Sequence, residues 1–367
     1  MHAKVDPVRK IAVLRANALG DYIFALPALD ALRAAYPQAQ ITLLGKSWHQ
    51  SYLDGRPGPV DRVIVIPRYK GVGEDDTWAG PNDEEQAIID GFFTRMEAEH
   101  FDLALQMHGG GGNSNPFVAR LGAHVTAGSR AAGAPPLDRW ITYYYWQHEI
   151  MRLLEVAALV GAEPVNIEPH ITVTPRDLRE ACQVVPDDEE TLVVLHPGAS
   201  DPRRRWSAER FARAGDALVK AGCRVALVGI PEERAVVDAV LDAMEEPAMD
   251  LCGRLSLHGL TGLLSRAAMV VANDSGPRHL AEAVGTPTVS IFWCGNVINA
   301  GPAFRAKHRP HLSWTIHCPI CGKNTIHEGC DHRVSFVDEV RVEAVVESAM
   351  DLLKEGKGLR CGGVSGK

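Results

Sequence analysis

Two short stretches carry the residue types that hold a diphosphate. His196-Pro-Gly-Ala-Ser-Asp-Pro-Arg-Arg-Arg-Trp206 and Asn273-Asp-Ser-Gly-Pro-Arg-His279 each follow an apolar run and each open a helical segment. In a parallel α/β domain those are the carboxyl ends of strands, where free helix N–H groups and arginines face an incoming anion. A nucleoside diphosphate leaving a sugar gains negative charge as the bond breaks, and a divalent metal, arginines or helix dipoles must stabilise it. The chain has no Asp-x-Asp pair to hold a metal against a pyrophosphate; it offers Arg203, Arg204 and Arg205 with the amides around Ser275 and Gly276. The candidate donor contacts are therefore Ser200 and Arg204 in the first stretch and Asp274, Ser275, Gly276 and His279 in the second. Asp274 and His279 lie a turn apart, where either would orient ribose or sugar hydroxyls.

Other groups extend the set. In Gly229-Ile-Pro-Glu-Glu233, Glu233 is the candidate acceptor for ribose hydroxyls, as the acid of dinucleotide folds is; a helix first-turn acid is the bland alternative. Asp21 follows the first strand through Asn17-Ala-Leu-Gly20, where a carboxylate is placed to deprotonate an attacking hydroxyl. One such base implies a single displacement that inverts the anomeric centre. Capping the next helix is the structural alternative for Asp21. His108 and Gly109-Gly-Gly-Gly-Asn113 permit close approach of a ligand, yet no segment has the GxGxxG order, which disfavours a nicotinamide enzyme. Cys318-Pro-Ile-Cys321 with Cys330-Asp-His332 can close a structural zinc or iron site of three thiolates and one imidazole; reduced structural thiols are the alternative.

Strand-like runs alternating with helix-period segments position these groups, the pattern of βαβ units and a parallel sheet. The first half reads as strands over 11–14, 41–44, 63–66, 103–107 and 124–127, with a helix after Gly20 and a surface loop over 70–83. Prolines bracket an extended link at 164–175. The second half reads as strands over 192–195, 225–228, 269–272 and 288–291, with helices starting at Ser207, Glu232, Ser256 and near Pro277, and a last amphipathic helix over 342–354 ending at Gly356 with a loose tail. The expected organisation is an amino-terminal acceptor domain over 1–174, a donor domain over 175–340 and a carboxyl-terminal helix and tail over 341–367.

With 367 residues the chain exceeds one comfortable core. A net charge of −8 argues against a general nucleic-acid binder, which needs excess Lys and Arg to neutralise phosphates. The run Ile11–Leu14 is far short of a secretory apolar core, and no run reaches membrane-helix length. Five cysteines scattered singly fit a reducing compartment. These features place the protein in the cytoplasm, and peripheral contact with the inner face of the inner membrane is compatible with that.

The motifs Leu19-Gly-Asp21 with Pro27-Ala-Leu29, His196-Pro-Gly-Ala199 through Arg204-Arg-Trp206, Gly229-Ile-Pro-Glu-Glu233 and Asp274-Ser-Gly276 with His279 together resemble glycosyltransferase family 9, the heptosyltransferase-like enzymes of bacterial surface-polysaccharide assembly. The resemblance spans most of the chain. It implies a GT-B fold of two Rossmann-like domains facing across a cleft, and an inverting mechanism that needs no cofactor for catalysis. It implies an ADP-sugar donor, most often ADP-heptose, and a glycan, glycolipid or protein acceptor. It makes Asp21 the general base, Arg204 the counterpart of a phosphate-binding lysine, Glu233 the ribose ligand, and Asp274, Ser275, Gly276 and His279 the donor-binding helix start. Some relatives hold iron in a carboxyl-terminal cysteine cluster; here Thr325 stands where one thiol is expected and His332 substitutes. A nucleotide-sugar epimerase of similar shape and a nucleotide-sugar binding protein without turnover are the alternatives.

Overall fold

The computed structural model describes residues 3–73, 78–186 and 190–361, with side chains to Glu355. The chain forms two compact units, Met1–Thr172 and Val173–Lys367. The first runs β1 (Lys10–Leu14), α1 (Leu19–Ala35), β2 (Gln40–Gly45), α2 (Ser47–Leu53), β3 (Arg62–Val65), α3 (Asp83–Glu97), β4 (Leu103–Gln106), α4 (Ser114–Ala119), β5 (Val125–Arg130), β6 (Arg139–Thr142) and α5 (Glu149–Ala158). All its strands are parallel, in the order β3-β2-β1-β4-β5-β6. Helices cover both faces of such a sheet, so the central strands β1 and β4 are apolar and buried except for the half-buried Lys10 that opens β1 and the buried Gln106 that ends β4.

The second unit runs α6 (Pro175–Val184), β7 (Thr191–His196), α7 (Ala208–Lys220), β8 (Cys223–Leu227), α8 (Arg234–Ala243), β9 (Met249–Asp250), α9 (Leu257–Arg266), β10 (Met269–Asn273), α10 (Gly276–Ala283), β11 (Thr288–Trp293), α11 (Cys294–Ala300), β12 (His308–Ser313) and α12 (Val342–Cys361). Its parallel sheet has the order β12-β11-β10-β7-β8-β9. Counted from its own first strand this is the same 3-2-1-4-5-6 order, the Rossmann arrangement. Each sheet reverses direction at one point, between β1 and β4 and between β7 and β10, and ligands of such sheets bind there, beyond the strands' carboxyl ends.

Several elements differ from the sequence expectation. The edge strands β6, β9 and β12 were not legible, because they lack an apolar run: β6 alternates half-buried and exposed, β9 has two residues, and β12 reads His-Arg-Pro-His-Leu-Ser, whereas the edge strand β3, Arg-Val-Ile-Val, has one. The segment 231–233 is a single 3₁₀ turn, so the α-helix begins at Arg234 and not at Glu232. Helix α12 runs on to Cys361, past Gly356, since a glycine weakens a helix by about 1 kcal/mol without ending it. Its inner face, Val342, Val345, Ala349 and Leu352, joins Val193, Leu195, Trp206 and Phe211 in the core of the second unit. Within the expected loop over 70–83, Val72 is buried, Trp78 packs against the first unit's core, and residues 74–77 lie outside the described residues. Among the described residues no helix is long and apolar enough to cross a membrane.

Candidate active site

At the reversal point of the second unit, β7 ends in His196 and β10 in Asn273, and the loops that follow carry the candidate donor-binding residues. The loop from Pro197 to Trp206 is stapled at both ends by one buried side chain: Asn273 Nδ2 donates to the Pro197 carbonyl (2.8 Å) and its Oδ1 accepts from the Trp206 amide (3.1 Å). Trp206 is buried and donates its indole N–H to the Val340 carbonyl. The arginines projecting from this loop are fixed differently. Arg203 is held by the Asp201 carboxylate (2.6 Å), Arg205 donates to the Ala199 carbonyl, and Arg204 reaches across to Asp274 (2.9 Å) and Ser200 Oγ (2.9 Å). Arg204 keeps an exposed edge, whereas Asp274 is only 3% exposed.

Asp274 is saturated. Besides Arg204 it accepts from Asn296 Nδ2 (2.8 Å) and from His279 Nε2 (3.2 Å). Burial opposes its charge, but His279, Arg204 and Asn296 outweigh that and hold the carboxyl far below the usual range. Burial and the adjacent Arg278 guanidinium lower the His279 pKa. Arg278 Nη1 donates to His279 Nδ1 (2.7 Å), so the partners assign a neutral imidazole with its proton on Nε2, donated to Asp274. The two side chains thus face each other inside the protein, and Asp274 in turn holds the Arg204 guanidinium.

A second cluster adjoins it. His196 bridges Glu233 Oε2 (3.2 Å) and Ser275 Oγ (3.0 Å), so β7, the turn after β8 and the start of α10 are tied through one imidazole. The Ile230 amide also donates to Glu233 (3.1 Å). Burial resists ionisation of Glu233, yet His196 and that amide bring its carboxyl below the usual range. Gly198 is required here: a Cβ on it would sit 1.9 Å from a Glu233 carboxylate oxygen. Ser275 is the N-cap of α10, and Pro277 in the first turn leaves the Gly276 amide at the helix start.

In the first unit, Asp21 sits at the third position of α1. Its Oδ2 accepts from the Ala18 amide (3.2 Å), the capping contact, and its Oδ1 from Arg15 Nη2 (3.1 Å). Arg15 is buried, donates to the Met107 carbonyl, and lies 3.6 Å from Glu149, so its charge is shared between two carboxylates. Asp21 itself remains 37% exposed. His108, two residues beyond β4, accepts from the Ala16 amide beside this pair, and burial with the Arg15 charge pushes its pKa down to about 4.

The segment after β12 brings Cys318, Cys321, Cys330 and His332 together, with one ligand atom of each within 4.8 Å of the others. His332 Nδ1 is buried and has no hydrogen-bond partner. Burial resists ionisation of the Cys318 thiol, but the Cys321 and Ile320 amides outweigh it and bring it down to about 6. Three thiols, one of them readily ionised, and an orphaned imidazole nitrogen fit a tetrahedral metal. The segment then returns to the arginine loop, where the Phe336 amide donates to the Arg203 carbonyl (2.7 Å) and Ser335 Oγ to that of Arg205 (2.6 Å).

Every residue singled out in the second half thus gathers at one reversal point or in the cysteine cluster. Sequence reasoning did not single out His196, Asn273, Asn296 or Arg15. The first two stood in or beside the quoted motifs, as polar side chains ending apolar strands; Asn296 and Arg15 carried no signal, since their partners are set by the fold.

Residues 91–323 match the sequence profile of glycosyltransferase family 9 (heptosyltransferase). The chain is 28% identical over 303 residues to lipooligosaccharide heptosyltransferase 2 of Haemophilus influenzae, covering 77% of this chain and 82% of that one. Two solved structures share the fold. The glycosyltransferase family 9 protein of Veillonella parvula superposes with a TM-score of 0.78 at 22% identity, over 96% of this chain and 99% of the other. The ADP-heptose lipopolysaccharide heptosyltransferase II of Escherichia coli superposes with a TM-score of 0.73 at 18% identity, over 95% and 99%.

Proposed function

The chain belongs to glycosyltransferase family 9 and is a glycosyltransferase of the GT-B fold, and from that premise we propose that it transfers a heptosyl group from ADP-heptose to a lipopolysaccharide-core acceptor. The observation that carries the donor half of this reading is Arg204, aimed by the buried Asp274–His279–Asn296 cluster and presenting a free edge beside the α10 amides. Two or more charge-assisted hydrogen bonds from such a fixed cation stabilise a departing diphosphate without a metal. Glu233 takes the ribose hydroxyls, with His196 orienting it.

Asp21 is the general base of the proposed reaction. The acceptor hydroxyl gives its proton to the solvent-facing carboxylate as its oxygen attacks the anomeric carbon; the bond to the ADP oxygen breaks on the opposite face, and the centre inverts. Arg15 holds Asp21 in one orientation, and Glu149 offsets part of the arginine's charge. A zinc or iron ion held by Cys318, Cys321, Cys330 and His332 would have a structural role, fixing the segment that supports the Arg203 and Arg205 carbonyls. Metal analysis of protein purified without chelators is expected to find about one zinc or iron per chain; metal-free protein contradicts that part alone.

The test of the transfer reading is incubation with ADP-heptose, with and without deacylated lipopolysaccharide-core oligosaccharide. ADP release that requires the oligosaccharide supports transfer. Isomerised sugar formed without acceptor supports an epimerase, and tight donor binding with neither product supports a binding protein.

A further inference from the structure

The loop joining β6 to α5 exposes three consecutive aromatic rings, Tyr144 (64%), Tyr145 (56%) and Trp146 (44%), with the last two edge to face at 4.8 Å. So much exposed ring surface is costly unless something covers it. The loop is held firmly. Arg152, buried in α5, donates to the carbonyls of Tyr144, Tyr145 and Gln147, and its guanidinium lies 4.4 Å from the Tyr143 ring centre.

The same arginine connects the loop to the candidate base. Arg152 pairs with Glu149, Glu149 faces Arg15 at 3.6 Å, and Arg15 holds Asp21. Tyr143 packs towards Gly110 of the four-glycine run, where an added Cβ would meet its ring at 3.5 Å. The rings therefore stand at the carboxyl ends of the first unit's strands, a few side chains from the carboxylate that would deprotonate an acceptor.

We propose that Tyr144, Tyr145 and Trp146 form the platform on which a pyranose ring of the acceptor glycan stacks, an inference that rests on the transferase reading above. A pyranose offers an apolar C–H face and a rim of hydroxyls. Tyrosine and tryptophan offer the complement, a rigid apolar ring face with an O–H or N–H at its edge, at little cost in side-chain entropy. A lipid surface also takes such rings, but the stretch 143–158 carries two glutamates against one arginine, and that arginine is buried. Anionic headgroups would select lysines and exposed arginines instead.

The experiment uses the full chain with Tyr144→Ala, Trp146→Ala, their combination, and Trp146→Phe, which keeps a ring. Four readouts are compared: KM for deacylated core oligosaccharide, binding of that oligosaccharide by NMR, ADP affinity by calorimetry, and sedimentation with phosphatidylethanolamine–phosphatidylglycerol vesicles. The double variant is expected to raise KM and weaken oligosaccharide binding about tenfold or more, with ADP affinity and Tm as in the wild type and Trp146→Phe largely restored. Unchanged oligosaccharide binding overturns the platform, as does an effect seen only in vesicle sedimentation. Absence of acceptor-dependent ADP release from the wild type would instead overturn the transferase reading, and the NMR titration would still decide whether the rings bind a glycan.

Discussion

The two units share one strand order and one reversal point, yet they use it in opposite ways. In the second unit the reversal point is closed and over-determined: Asp274 is saturated by three donors, His196 ties three segments, and Asn273 staples both ends of the arginine loop. In the first, Asp21, at the start of the helix that follows β1, stands more than a third exposed on one capping bond and one arginine. A rigid polar network suits a group that must hold a fixed dianionic fragment. An accessible carboxylate suits a group that must exchange protons with an incoming hydroxyl. On the proposed function the same scaffold serves binding in one half and proton transfer in the other, and fold alone does not assign either role.

The comparison breaks most visibly at Asp21. Asp21→Asn keeps the size and one capping acceptor but removes the base, and kcat is expected to fall by roughly 10²–10⁴. Turnover within a few-fold of wild type, measured as ADP release with saturating acceptor, would leave Asp21 with only its capping role.

A smaller effect probes the rigidity of the other half. Asn273→Ala orphans the Trp206 amide and the Pro197 carbonyl in a buried site, which costs about 1–3 kcal/mol. Urea unfolding should show that loss together with weakened ADP binding. A loss of stability with ADP affinity intact would mean that the staple does not position Arg204.

How far the sequence told this story varies with burial. Central strands such as β1, β4, β7 and β10 announce themselves as apolar runs, and the motif residues that follow them were placed by that fact alone. The edge strands β6 and β12 did not, because polar residues interrupt them, whereas the edge strand β3 has an apolar run. Ser200, Arg204, Asp274 and His279 were legible as a group at strand ends, but not that Asp274 and His279 would turn inward to each other. Nor could the link from Arg15 through Glu149 and Arg152 to the aromatic loop be read, since its members meet only when β1 and α5 are packed in one unit.

A pH dependence that both units share is also expected. Burial keeps His49 and His108 in the first unit and His308 in the second neutral, with pKa values lowered from 6.5 to about 3, about 4 and about 4. In the unfolded chain each imidazole takes up a proton near 6.5, whereas in the folded chain His108 and His308 do not until about 4 and His49 not until about 3. Their stabilising contribution is therefore complete above 6.5 and is lost progressively as the pH falls towards 4. The lowered carboxyls of Asp274 and Glu233 act in a more acidic window, their contribution being lost as the pH falls through their folded values. Urea midpoints at pH 7, 5.5 and 4.5 should fall in that order, less steeply in His108→Gln. A flat series contradicts the neutral buried state.

The division of labour itself is tested most directly by titrating ADP calorimetrically into the wild type, Asp21→Asn and Arg204→Ala. Wild-type affinity within about threefold is expected for Asp21→Asn, and a loss of about 10- to 100-fold for Arg204→Ala as its charge-assisted contacts disappear. Full ADP affinity in Arg204→Ala, or a large loss in Asp21→Asn, would contradict it.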